Sequence, residues 1–212
     1  RKSNGCTMAN KNLFLIHGAW ASRQAFNYLT KKTLDEGNVG RIHCFEYDCQ
    51  TEPIGSISVR AHAELRGVLS NGLETVVLGH SLGGLIALSL SQYSGVSKAI
   101  TVASPLAGLK LPRFVQFFVS YHTPILKELV PTSEFMRYLH AKDYSHVPVE
   151  CIVAAEGYNP MIYERNDGVV TYNSQTKWHP KGAKVTFSYT NHHEVLQSAE
   201  VLRAVEKELT RT

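Results

Sequence analysis

A chain of 212 residues with 43% hydrophobic and 19% charged residues has the balance of one globular domain with a sizeable core, which excludes a disordered or fibrous protein. The formal net charge of +4 rests on Lys and Arg that are scattered rather than gathered in a stripe, so no nucleic-acid partner is expected. No apolar run reaches membrane-spanning length and no export signal is visible, which leads to the expectation of a cytoplasmic protein with no transmembrane segment and at most peripheral contact with lipid surfaces.

Met8 stands just before the first apolar run, so residues 1–7 are expected to be an extension or remnant and 8–212 a single domain. Residues 12–16 (NLFLI) read as a first buried strand that runs into His17, Gly18, Ala19 and Trp20. A helical pattern from Ser22 through Phe26, Leu29 and Leu34 stops at Gly37, and 41–47 (RIHCFEY) reads as a second strand. Residues 58–73 have helical spacing at Val59, Ala63, Leu65 and Leu69. The segment 75–90, TVVLGHSLGGLIALSL, then passes from a β-branched apolar run through G-x-S-x-G into an apolar helical pattern. Further strands are expected at 98–102, 149–155 and 184–189, and an amphipathic helix at 195–209. Six strands alternating with helices imply a mostly parallel sheet with helices on both faces, whose chemistry gathers at the carboxyl ends of the strands.

Residues 105–148 break that alternation. Phe114, Phe117, Phe118 and Tyr121 lie there at helical spacings, and either cover the sheet or form part of a modest cap that offers apolar surface to a substrate. Four cysteines, Cys6, Cys44, Cys49 and Cys151, show no metal-ligand spacing. Reduced thiols are expected, although Cys44 and Cys49 are near enough in sequence to be linked, and neither a metal nor a cofactor is implied.

Gly79, Gly83 and Gly84 permit the tight strand-to-helix turn that would lift Ser81 Oγ clear of the sheet above a helix N-terminus. A serine needs a base held by an acid to become a nucleophile. Asp167 falls in the loop after the fifth strand and His192 and His193 directly after the sixth, so acid and base candidates both arrive at the strand ends where Ser81 stands. Backbone N–H groups of Ala19 and Leu82 are placed to receive an oxyanion, with Trp20 beside them. Without Ser81, Asp167-Gly168 reads as an ordinary turn pair, and His80 and His17 read as packing or loop-shaping residues.

These residues resemble the α/β-hydrolase superfamily and, within it, the small serine lipases and esterases. FLIHGAW is similar to the first strand and oxyanion loop, GHSLGG to the nucleophile turn, NDGVV to the acid loop, and VASPLAGL and LVPTSEFMRYL to segments between. The resemblance implies an α/β-hydrolase fold and a small-molecule or lipid ester substrate cleaved by Ser81, His192 and Asp167. Trp20 and, if the 105–148 segment forms a cap, Phe114, Phe117 and Phe118 are the candidate substrate-binding residues. It favours His192 over His193, since HHEVLQSAEV then sets Val195, Leu196 and Val201 in the apolar places of the terminal segment. A hydroxynitrile-lyase-like lyase shares the same three side chains, and a non-catalytic small-ligand receptor can share the fold.

Overall fold

Along the first strand, Phe14 and Ile16 join one hydrophobic cluster while Leu13 and Leu15 join another, as the two-residue period of a strand requires when both faces are covered. The computed structural model describes residues 11–109 and 124–210. Within them six strands form one sheet: β1 (Lys11–Ile16), β2 (Val39–Phe45), β3 (Thr75–His80), β4 (Val96–Val102), β5 (Val149–Ala154) and β6 (Lys184–Ser188). The order is β2-β1-β3-β4-β5-β6, and every neighbouring pair is parallel. The expected α/β-hydrolase architecture is the one observed.

Helices α1 (Asn27–Glu36) and α7 (Ala199–Leu209) cover the Leu13 face through Leu29, Val201, Ala204, Val205 and Leu209. The other face is covered by α2 (Ile54–Leu69) and α3 (Leu82–Leu90). Helix α2 starts four residues earlier than its sequence pattern suggests, and its buried face is Ile54, Ile57, Ala61, Leu65 and Val68. Val59, expected on that face, is 70% exposed. The inward stripe is fixed by Ile54 and Ile57, which precede the expected start, and this turns Val59 outward.

Residues 124–148 carry α4 (Pro124–Glu128) and α5 (Glu134–His140). Ile125, Leu129, Met136, Leu139, Tyr144 and Val147 are buried in the same cluster as α2 and α3. The described part of the expected cap is therefore packed into the core; Phe114, Phe117, Phe118 and Tyr121 lie outside the described residues. Cys44, Cys49 and Cys151 are free thiols.

At the amino-terminal ends of the strands, Lys98 of β4 pairs with Glu150 of β5 at 2.7 Å and with Glu208 of α7 at 3.3 Å. Lys184 of β6 reaches the other oxygen of Glu150 at 2.6 Å. These bonds fix the register of three strands at the end opposite Ser81. At the carboxyl end the chain leaves β1 toward β2 on one side and returns as β3 on the other. Loops after β1 and β3 thus diverge over a crevice, the place where such sheets bind ligands.

Candidate active site

Three non-glycine residues among those described have positive φ, and all follow the carboxyl end of a strand: Trp20 (φ 55) after β1, Ser81 (φ 53) after β3 and Ala103 (φ 48) after β4. Such conformations cost about 1–3 kcal/mol each and persist only where the surroundings impose them. At Ser81 they are imposed by close packing. A Cβ on Gly79 would collide with the Gly83 carbonyl, and one on Gly83 with the carbonyls of Ile16 and His17, so β3, α3 and the loop after β1 meet backbone to backbone. The Ser81 N–H donates to the Val102 carbonyl at 2.8 Å, and α3 begins at the next residue, Leu82.

The loop after β1 is fastened by the segment after β2. Tyr47 OH donates to the His17 carbonyl at 2.7 Å, and the two rings stack at 4.3 Å. Trp20 N–H donates to Cys49 Sγ at 3.2 Å. Burial pushes the Tyr47 phenol well above its ordinary pKa, which keeps it a donor. Ala19 lies between these two anchors and lines the same cleft as Ser81 and Leu82.

Asp167 is buried after β5 and is held by four donors. Its Oδ1 accepts the N–H groups of Val169 (2.9 Å) and Val170 (2.7 Å). Its Oδ2 accepts Gln175 Nε2 at 3.0 Å and His192 Nδ1 at 2.7 Å. An oxygen pair that only accepts is the hydrogen-bonding pattern of an ionised carboxylate. The N–H of His192 also donates to the Asp167 carbonyl, at 2.9 Å. With Nδ1 engaged as donor, Nε2 is the nitrogen of His192 left to act in the cleft. His193 is exposed, lies edge-on to His192 and donates its N–H to Asn191 Oδ1, so of the two histidines it is His192 that meets Asp167.

Two residues enter whose roles the sequence does not give. Gln175 lies on the short helix α6 (Tyr172–Thr176) and, besides holding Asp167, bonds both the N–H and the carbonyl of Ala154 at the end of β5. His80, 3% exposed, donates from Nε2 to the His192 carbonyl at 2.8 Å. Burial, with His192 nearby, lowers the His80 pKa from 6.5 to about 3.

Ser81, Ala19, Leu82, His192, His193 and Trp20 all border one cleft of about 550 Å³. The described wall toward α4 is aliphatic, with Leu109, Leu126 and Leu129. The wall beside the 3₁₀ turns Arg23–Phe26 and Glu194–Gln197 carries the exposed amides of Gln24 and Gln197. Trp20 is 59% exposed at the mouth. Among the described residues no group of three or more His, Cys, Asp or Glu side chains is arranged to hold a metal ion, and no helix is long and apolar enough to cross a membrane.

The sequence model described as the Alpha/beta hydrolase family matches residues 13–198, from β1 through the segment after β6. The chain belongs to the α/β-hydrolase family. Solved structures agree on the fold. It superposes on mature lipase BlEst2 of Bacillus licheniformis with a TM-score of 0.73, at 14% identity over 100% of this chain and 96% of that one. The monoacylglycerol lipase of Paleococcus ferrophilus gives 0.64, at 15% identity over 95% of this chain and 96% of that one. A metagenomic carboxyl esterase, MGS0156, gives 0.64 at 16% identity, over 97% of this chain and 77% of that one. A sequence comparison with curated proteins gives no match.

Proposed function

We propose that this α/β-hydrolase cleaves carboxylic esters through Ser81, His192 and Asp167. The observation that carries the reading is the 2.7 Å bond from His192 Nδ1 to Asp167 in the cleft that also holds the backbone-strained Ser81. His192 Nε2 takes the Ser81 proton as Oγ attacks the acyl carbonyl, and Asp167 stabilises the imidazolium through Nδ1–H. The N–H groups of Ala19 and Leu82 hold the oxyanion, Leu82 from the first turn of α3 where the helix dipole adds to it. Collapse of the tetrahedral species breaks the ester bond, His192 returns its proton to the leaving alcohol, and water then releases the acid from Ser81 by the same steps.

The two cleft walls suit the two halves of an ester. The base protonates the leaving oxygen, so the alcohol lies toward His192 and the amides of Gln24 and Gln197, and the acyl chain toward Leu109, Leu126 and Leu129. Trp20 borders the mouth, where substrate enters. An apolar acyl group on a compact alcohol fits this division, and the substrate is a small-molecule or lipid ester.

The test is a panel of nitrophenyl esters from acetyl to palmitoyl with wild type and Ser81→Ala. A burst of nitrophenol with an acyl group on Ser81 by mass spectrometry, absent from the variant, is expected. Undiminished turnover in Ser81→Ala would overturn the proposal. Cyanohydrin cleavage without ester turnover would assign a lyase, and ligand binding without any turnover a receptor.

A further inference from the structure

His80 precedes the strained Ser81 directly, yet its side chain reaches across to the loop after β6, 112 residues away, where Nε2 meets the carbonyl oxygen of His192 at 2.8 Å. A carbonyl only accepts, so the proton is on Nε2. Its other nitrogen, Nδ1, is buried and has no hydrogen-bond partner among the described residues. Nδ1 faces Gly18, where a Cβ would come within 3.2 Å of it. A proton on that nitrogen would be a buried donor without an acceptor, so the ring is neutral and of a single tautomer. The rings of His80 and His192 are 4.7 Å apart and tilted by 50°.

His192 is therefore gripped at three points. Its N–H is held by the Asp167 carbonyl, its Nδ1 by the Asp167 carboxylate, and its carbonyl by His80. The first two bonds tie His192 to the acid and say nothing of where the serine is. The third ties it to the residue peptide-bonded to Ser81. We infer that His80 is a positioning residue that sets the distance between nucleophile and base by anchoring the His192 backbone to the turn that carries Ser81. The inference rests on the reading of Ser81 and His192 as nucleophile and base.

The charge state of His80 is part of this role. The titratable groups that face it are His192, His193 and His17, and Asp167 faces His192 from the far side. During turnover His192 becomes an imidazolium, and a neutral His80 adds no second positive charge beside it. Burial, which holds His80 to a pKa of about 3, keeps it neutral over the working range.

Three variants separate positioning from packing. Gln places its amide nitrogen about as far from the backbone as His Nε2, Asn stops short at the depth of Nδ1, and Leu fills the space without a donor. With a nitrophenyl ester, His80→Leu and His80→Asn are expected to lower kcat by about ten- to a hundredfold with KM unchanged, because a small misplacement of base from nucleophile acts only in the transition state. His80→Gln is expected to recover most of the loss. If Leu does not fold, the Gln and Asn pair decides alone. Asn as active as wild type, or Gln no better than Asn, would overturn the inference, whereas turnover that survives Ser81→Ala overturns the hydrolase reading instead. Imidazole ¹⁵N spectra of the wild type stand apart from activity: His80 is expected as the Nε2–H tautomer without titrating from pH 5 to 9, and an Nδ1–H tautomer or a titration in that range refutes its anchoring bond.

Discussion

Gln175 Nε2 donates to the same Asp167 oxygen that receives His192 Nδ1–H, at 3.0 Å against 2.7 Å. The glutamine also bonds both backbone groups of Ala154, so it locks the carboxylate to the end of β5 while the carboxylate holds the imidazole.

Removing that amide leaves Asp167 one donor short in a buried site and frees its χ angles. Gln175→Leu is expected to lower kcat about tenfold or more and to cost about 1–3 kcal/mol of stability, since a buried acceptor and two backbone groups lose partners. Steady-state kinetics and urea unfolding on the same preparation check both numbers. A variant with wild-type kcat would show that the Val169 and Val170 N–H groups alone fix the carboxylate.

Cys49 offers a second lever on the cleft. Its thiol accepts the Trp20 N–H while Trp20 stands at φ 55, one residue beyond Ala19. Cys49→Ser keeps an acceptor there and Cys49→Val does not. The valine variant is expected to lose kcat several-fold, and to bind a trifluoromethyl ketone more weakly by a similar factor, because the Ala19 N–H would no longer be held for an oxyanion. Equal inhibitor affinity in the two variants would detach Cys49 from that role.

How much of this was readable beforehand depends on how local the cause is. The buried strands β1 and β3 and the Ser81 turn declare themselves because apolar runs and glycine spacing act over a few residues. Asp167 and the His192–His193 pair could be placed by their position after β5 and β6, and only the family resemblance ranked His192 over His193. Gln175 could not, since YNSQT is a five-residue polar helix with no apolar period, and its role comes from Asp167 and Ala154 across space. His80 could be seen but not understood, as its partner lies 112 residues on. The last helix was expected from 195, yet Ser198 caps it at Val201 N–H and the preceding turn is 3₁₀, because the chain must first leave the His192 loop.

Neutral His80 makes a pH signature. Its folded pKa is about 3 against an ordinary 6.5, so below 6.5 the unfolded chain takes up a proton that the native protein refuses. Its effect on stability is nil above that pH and increasingly unfavourable below it, reaching about 2 kcal/mol by pH 5. Urea unfolding at pH 7.5 and 5.0 should therefore show a smaller acid loss for His80→Gln than for wild type. Equal losses would mean that His80 protonates in the fold.

At the opposite end of the sheet, burial raises the Glu150 pKa but the bonds from Lys184 and Lys98 outweigh it and lower the net value. The stabilisation this gives is present above the ordinary carboxyl value of 4.5 and is lost as pH falls through the lower folded one. Lys98, with 6% of its side chain exposed, is the more buried of the two cations. Lys98→Met should cost about 1–3 kcal/mol, because it removes the buried cation that faces both Glu150 and Glu208 while Lys184 still pairs with Glu150. Turnover per folded molecule should not change, because the network is at the strand ends remote from Ser81. A changed kcat in the folded fraction would reveal coupling along the strands.

The φ of 53 at Ser81 also bears on how this protein would respond to breeding for heat resistance. Glycine accepts that backbone shape freely and serine does not, so a screen that rewards survival at high temperature and ignores turnover has a standing incentive to place glycine at position 81. Thermostable progeny from such a screen should be enriched in inert molecules that bind ester and release it whole.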